Sequence, residues 1–234
     1  LDRGWVDAAE DYVEDKRDTG LLRGAREVAH HRLAYARICA ARRDYEQAWH
    51  ILRDEGYRRR VPRGLRLSWE RWTLEVALRR EDAIGFKAVD DEIDTRLEGE
   101  TGAGIWAARA ESAARRADDS EYQRSVENAE FVRASARLAH VRAIAKLRMP
   151  SRGPEPSQLE AELLEARDEI VVLYPYLREE VEGLLVYLRY LAQPYASGES
   201  VGAIEALLPT GDSRADHVLR TVLRSLDAES SEQE

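Results

Sequence analysis

VAHHRLAYARICAARRDYEQAWHILRDEGYRRR, residues 28–60, decides how the rest of the chain is read. In its first half Val28, His31, Tyr35, Ile38 and Cys39 recur at the three- and four-residue steps that line one face of an α-helix. In its second half Tyr45, Ala48, Trp49 and Leu52 do the same. Asp44 lies between the two runs, where a short carboxylate can cap the free N–H groups of the second helix. The small Ala36 and Ala48 fall where two antiparallel backbones would cross most closely. The stretch therefore predicts a helical hairpin closed by a very tight turn.

The composition extends that prediction to the whole chain. Of 234 residues, 35% are charged and 7% aromatic, with only 14 Gly and 7 Pro, a balance that favours helices over strands. No segment alternates as a strand does, so the fold class is all-α. The length allows a sizeable core in one elongated domain or two small ones. Lysine occurs only at Lys16, Lys87 and Lys146, and this dominance of arginine reads as a high-GC, bacterial coding sequence. The net charge of −9 argues against direct, sequence-independent binding of nucleic acid by this segment. A single cysteine, Cys39, excludes an internal disulfide framework and fits a reducing cytoplasm. No apolar run approaches the roughly 20 residues that span a bilayer, so no membrane association is expected. The chain opens at Leu1 without an initiator methionine and reads as a piece of a longer protein.

Outward from the hairpin, Trp5 to Glu14 is a short helix and Arg58 to Arg63 a basic linker broken by Pro62. Gly64 to Arg80 carries two apolar stripes, Leu65, Trp69, Trp72 and Val76 on one and Leu67, Leu74 and Leu78 on the other, as a helix buried on two sides would. Asp82 to Leu97 follows, with Phe86, Val89 and Ile93. ARRDYEQAW (41–49) and LRREDAIGF (78–86) align at a shift of 37, a period typical of arrays in which one hairpin cannot bury its faces alone. In that register Tyr35 matches Trp72 and Ala48 matches Gly85. A helix over Ile105 to Arg116 comes next. Ser120 and Gln123 then form a capping box for a helix reaching Met149, with Phe131, Ala134, Leu138, Val141 and Ala145 on one face. Pro150, Gly153, Pro154 and Pro156 make the clearest break, either a domain boundary or a long loop between repeats.

Beyond it Ser157 and Glu160 form another box, backed by Leu159, Leu163, Ala166, Ile170 and Leu173, and Pro175 separates this helix from the next. About eleven helices result. They divide into N-terminal hairpin repeats over 1–149, C-terminal repeats over 157–227 that continue or cap the array, and a disordered acidic tail over 228–234.

Chemistry is sparse. Histidines at 30, 31, 50, 140 and 217 make no metal signature, and His30 and His31 point about 100° apart on a helix. No nucleophile elbow, P-loop or dinucleotide glycine pattern is present. No catalytic residue, metal or cofactor is expected, and the chain is not read as an enzyme. The most polarised region, Arg58 to Arg80, sets eight arginines against Glu70 and Glu75 and contains Trp69 and Trp72. It supports two readings. In one, Tyr35, Arg66, Trp69, Arg71 and Trp72 bind a polar or anionic ligand through guanidinium and indole. In the other, the tryptophans are core and the basic face pairs with the acidic run Asp90 to Glu100. Tyr174, Tyr176, Tyr187, Tyr190 and Tyr195 form a second enrichment, of which Tyr187 and Tyr190 could line a groove.

LAYARICAARRDYEQAWHIL resembles a tetratricopeptide-type hairpin, with Arg43–Asp44–Tyr45 at the turn and Ala48 in the usual small position; the glycine common at that turn is Arg43 here. More specifically, Trp5 to Ala9, Arg32 to Arg37 and Ala48 to Leu52 resemble the sensor region of MalT-type, large ATP-binding LuxR-family transcription regulators. The segments Val201 to Leu208 and Val218 to Leu226 are similar to its close. Residues 98–156 depart from that pattern. The resemblance implies a superhelix of helix pairs that binds an inducer and gates self-association and transcription activation. The expectation is thus a right-handed α-solenoid of tetratricopeptide-like hairpins, acting as a cytoplasmic sensor of a small-molecule inducer. The alternative is a scaffold that holds a peptide or protein partner.

Overall fold

The computed structural model describes residues 24–96, 102–131, 137–151, 153–192, 197–208, 210 and 213–231. Among them the chain is all-helical, 84% helix with no strand. Twelve α-helices follow one another: α1 (Ala25–Ala41), α2 (Tyr45–Arg53), α3 (Glu55–Arg58), α4 (Arg63–Arg79), α5 (Ala83–Arg96), α6 (Ala103–Arg115), α7 (Asp119–Phe131), α8 (Arg137–Arg148), α9 (Pro156–Leu173), α10 (Arg178–Ala192), α11 (Ser197–Glu205) and α12 (Ser213–Ser231). A 3-10 turn, Pro175–Leu177, joins α9 to α10. No helix among the described residues is long and apolar enough to cross a membrane.

Two compact units emerge, Leu1–Ala108 and Arg109–Glu234, and the division falls inside α6. The proline-rich stretch 150–156 is therefore no boundary. α8 and α9 pack on each other across it, because proline ends a helix without preventing its two flanks from sharing a core.

In the first unit α1 packs on α2, both pack on α4, and α4 packs on α5. Ala36 and Ala48 are wholly buried, and so are Leu52, Trp69, Leu74, Val76, Val89, Ile93 and Ile105. Leu67 departs from the two-stripe reading of α4, being 42% exposed. In the second unit α8, α9 and α10 pack pairwise, as do α10, α11 and α12. Tyr187 and Tyr190 are buried on α10 with Tyr174 and Tyr176 just before it, so these rings fill helix seams and line no groove. Tyr195 lies outside the described residues, as do Trp5 to Glu14, Leu97 and Ala134.

One turn is built three times. Arg43, Glu81 and Ala117 each take positive φ, 66°, 57° and 56°. Each is followed by an aspartate whose N–H reaches back to close the preceding helix, Asp44 to the Cys39 carbonyl, Asp82 to Ala77 and Asp118 to Ala113. The same carboxylates then cap the next helix, accepting from the N–H of Gln47 (3.0 Å), Gly85 (2.7 Å) and Glu121 (3.1 Å). From Asp44 to Asp82 is 38 residues and from Asp82 to Asp118 is 36.

This corrects the alignment at 37 by one residue, since Asp44 matches Asp82 and Ala48 matches the buried Phe86. Gly85 is small for a local reason: a Cβ there would lie 2.3 Å from the capping Asp82 carboxylate. Ser120 is likewise not the cap of α7 but donates to Asp118. At α9 the box of Ser157 and Glu160 is replaced by Glu155 at the N-cap, with no side-chain bond, and Pro156 at the helix start. α12 continues to Ser231, so 228–231 are helical rather than part of a disordered tail, there being no Gly or Pro to stop them.

Candidate functional site

The sequence placed Tyr35, Arg66, Trp69, Arg71 and Trp72 at one ligand surface. The structure sends them in different directions. Trp69 is wholly buried, with its indole N–H donating to the Leu52 carbonyl (3.0 Å) and its ring 5.7 Å from that of Tyr57. It packs α4 onto α2 and presents no face to a ligand. Arg66 turns back to donate to the Val61 carbonyl (3.3 Å). Arg71 lies across the start of α6, where a Cβ on Gly104 would come within 2.5 Å of its Nε. Trp72 is 7% exposed, and the guanidinium of Arg37 from α1 sits over its ring at 5.3 Å. Tyr35 stays half-buried on α1. What remains of the candidate surface is the α1–α4 seam, with Arg37 over Trp72 and Tyr35 on the same helix as Arg37.

The basic run beside it is partly interior. Arg58, which the sequence placed in a linker, is buried and donates to the buried Glu70 and to Glu92, each at 2.5 Å. Burial opposes its positive charge, but the two carboxylates more than offset that and its pKa is raised. Glu92 also accepts from Arg53 (3.3 Å), and these bonds lower its pKa although partial burial acts to raise it. Arg58 and Glu92 thus join the basic run to the acidic one, as the plainer reading of Arg58 to Arg80 expected.

Sequence reasoning missed a second constellation, in the unit from Arg109. E-x-x-x-R-R-x-D occurs at 75–82 and again at 111–118, placing a glutamate and an arginine one turn apart just before the repeated turn. In α4 the pair is Glu75 with Arg79 (3.2 Å), both buried. In α6 it is Glu111 with Arg115 (2.7 Å), and here the network spreads. Arg115 also donates to Glu180 of α10 (2.7 Å), and Arg137 of α8 donates to Glu111. His140 of α8 sits between them, with Nδ1 2.6 Å from Arg137 and Nε2 2.8 Å from Glu180. A guanidinium can only donate, so Nδ1 accepts and the ring proton is on Nε2, directed at Glu180. The ring of Tyr174 lies 5.2 Å from the Arg137 guanidinium. His140 is fully buried, and that burial pushes its pKa down; Glu180 resists the shift and Arg137 adds to it.

Ligand atoms of Glu111, His140 and Glu180 lie within 4.8 Å of one another, a grouping that could hold a metal ion. The charges argue otherwise. Two carboxylates face two guanidinium groups around a neutral imidazole, so the cluster is balanced as it stands. A divalent cation would have to displace arginines from the same oxygens and leave their charge buried. The signal for this cluster was Glu111 itself, a carboxylate in an alanine-rich run where Ala107, Ala108, Ala110, Ala113 and Ala114 are all buried. The chain matches no protein-family model, no curated protein and no solved structure.

Proposed function

We propose that the chain is a non-catalytic, cytoplasmic recognition module whose tetratricopeptide-like hairpins stack as a right-handed α-solenoid and hold a peptide or protein partner. The observation that carries this reading is the turn reused at Asp44, Asp82 and Asp118, at intervals of 38 and 36 residues. One helical hairpin occupies about that length in repeat arrays, and such hairpins serve chiefly as binding surfaces. The burial of Trp69 supports a surface for a macromolecule over an aromatic cavity for a small one.

A second reading is effector sensing within a bacterial transcription regulator of the MalT type, with the module gating activation and self-association. The cation over Trp72, on a helix that also carries the half-buried Tyr35, favours it. Peptide-display selection, run beside a thermal-shift screen of metabolites, separates the two. The first reading expects a shared peptide motif whose binding falls about tenfold in Arg37→Ala while the melting point holds. Stabilisation by a metabolite, lost in Tyr35→Phe with no peptide enriched, would support the second. If neither screen gives a hit, the recognition reading fails.

A further inference from the structure

Three of the five large apolar side chains left exposed among the described residues lie on one helix, α9: Leu164 at 47%, Val172 at 63% and Leu173 at 39%. This helix is 18 residues long, yet its buried residues are only Leu159, Leu163 and Ile170. Those three fall on one side, and the helix packs on α8 and α10. Leu164 and Val172 lie about 120° and 160° around the helix from the buried three, whereas Leu173, at the helix end, lies within about 60° of the buried side. At about 100° per residue, Ala161, Asp168 and Val172 fall within about 40° of one another, with Leu164 on one flank and Glu165 and Glu169 on the other. Leu164, Asp168 and Val172 form a ridge at four-residue steps, about 12 Å long.

The charge on this face selects its partner. Glu165, Asp168 and Glu169 stand against one arginine, Arg167, which bonds Asp168 at 3.0 Å. The other acids of the helix's first half turn to its own unit, Glu160 accepting from Arg189 (3.0 Å) and Glu162 from Arg142 (2.9 Å). Two copies of the face would set acid against acid, which selects against self-pairing. We propose that this face of α9 docks a cationic amphipathic helix of a partner protein, whose apolar ridge covers Leu164 and Val172 and whose Lys or Arg side chains meet Glu165, Asp168 and Glu169. Helices dock in this way through anchors at three- and four-residue steps, and complementary charge sets partner and orientation. The proposal is independent of the α1–α4 seam, since it uses a different helix in the other unit.

A synthetic helix with leucine at four-residue steps and flanking lysines serves as the probe, its fluorescence anisotropy followed against the full chain. The double substitution Leu164→Ser with Val172→Ser removes the ridge and leaves the net charge unchanged. It should weaken binding at least about tenfold while the circular-dichroism melt is retained. Glu165→Gln with Glu169→Gln should weaken it too, and Ile84→Ser, at an apolar side chain 84% exposed on α5, should not. Equal binding by the serine double variant would overturn the proposal, reducing it to general attraction between a cation and an acidic chain. No binding to the parent would overturn it as well. So would a parent that sediments as a dimer and is made monomeric by the serine pair, because the occupant would then be a second copy.

Discussion

In the unit up to Ala108 a buried guanidinium, Arg58, lies between a buried carboxylate, Glu70, and Glu92, whose side chain is 44% exposed. In the unit from Arg109, two guanidiniums and two carboxylates enclose a neutral histidine, and Glu111, His140 and Glu180 are all at most 1% exposed. The first network opens to water at one end, so a lost partner there can be replaced by solvent. The second is sealed and tied to three helices, α6, α8 and α10, so each member depends on the others. It also holds the one kind of side chain that ordinarily titrates near neutrality. The two units should therefore respond differently to loss of a charge and to acid.

The largest expected difference comes from removing one carboxylate in each. Glu111→Ala takes the buried carboxylate from Arg137 and leaves Arg115 with Glu180, with no path to water for Arg137, and should cost about 3–5 kcal/mol, the range for a broken buried pair. Glu70→Ala leaves Arg58 with Glu92 and a path to water, so its cost should fall at or below about 3 kcal/mol. Urea midpoints of the two variants, read with the parent's slope, make the comparison. A Glu70→Ala variant that is the less stable of the two would break the contrast between open and sealed networks.

Acid gives the next effect. The folded-state pKa of His140 is lowered from its ordinary 6.5, so the unfolded chain takes up the proton first as pH falls. The stability linked to this group is therefore complete above about pH 6.5 and is lost as pH drops toward the folded-state value, by up to about 1.4 kcal/mol per pH unit. Geometry gives the same sign, because a second ring proton at Nδ1 would point at the Arg137 donor 2.6 Å away. His140→Gln should remove this slope. Hydrogen exchange across that pH range should accelerate in α8 of the parent before α4. Simultaneous acceleration of both would mean that the units do not differ in this way.

The turn at Asp44 was legible because a short carboxylate between two helical runs has a single efficient use. The faces of α4, apart from Leu67, and of α5 were legible for a related reason, since large apolar residues at helical spacing leave little choice of face. That of α1 was not: its core stripe is Ala29, Leu33, Ala36 and Ala40, mostly too small to signal, and Val28, His31 and Tyr35 stay half-buried. The buried networks were not, because burial of a charge depends on partners far along the chain. Arg58 sits in an Arg-Arg-Arg run that reads as solvated, and its two partners are 12 and 34 residues away. Glu111 meets Arg137, 26 residues off, and its neighbour Arg115 meets Glu180, 65 residues off. The third copy of the turn was hidden by its alanines, which carry no aromatic signature, and the repeat was misaligned by pairing arginines instead of aspartates. The proposed ligand site scattered because Trp69 and Trp72, three apart, meet different neighbours.

The smallest effects test where the units agree. If the turns at Asp44, Asp82 and Asp118 are one device, each Asp→Ala should cost about 1 kcal/mol by removing a helix cap. The residue before each aspartate offers a finer test, because Arg43, Glu81 and Ala117 hold a left-handed backbone that favours glycine. A side chain pays roughly 1 kcal/mol there, and glycine avoids it at some cost in chain entropy. Ala117→Gly should then stabilise the fold by about 0.5 kcal/mol, and Arg43→Gly and Glu81→Gly by a similar amount. The three sites lie in separate turns, so the triple variant should gain their sum, seen as a rise in the urea midpoint at unchanged slope. A gain at Arg43 and Glu81 with a loss at Ala117 would show that the third turn is not equivalent. The repeat would then end with the first unit.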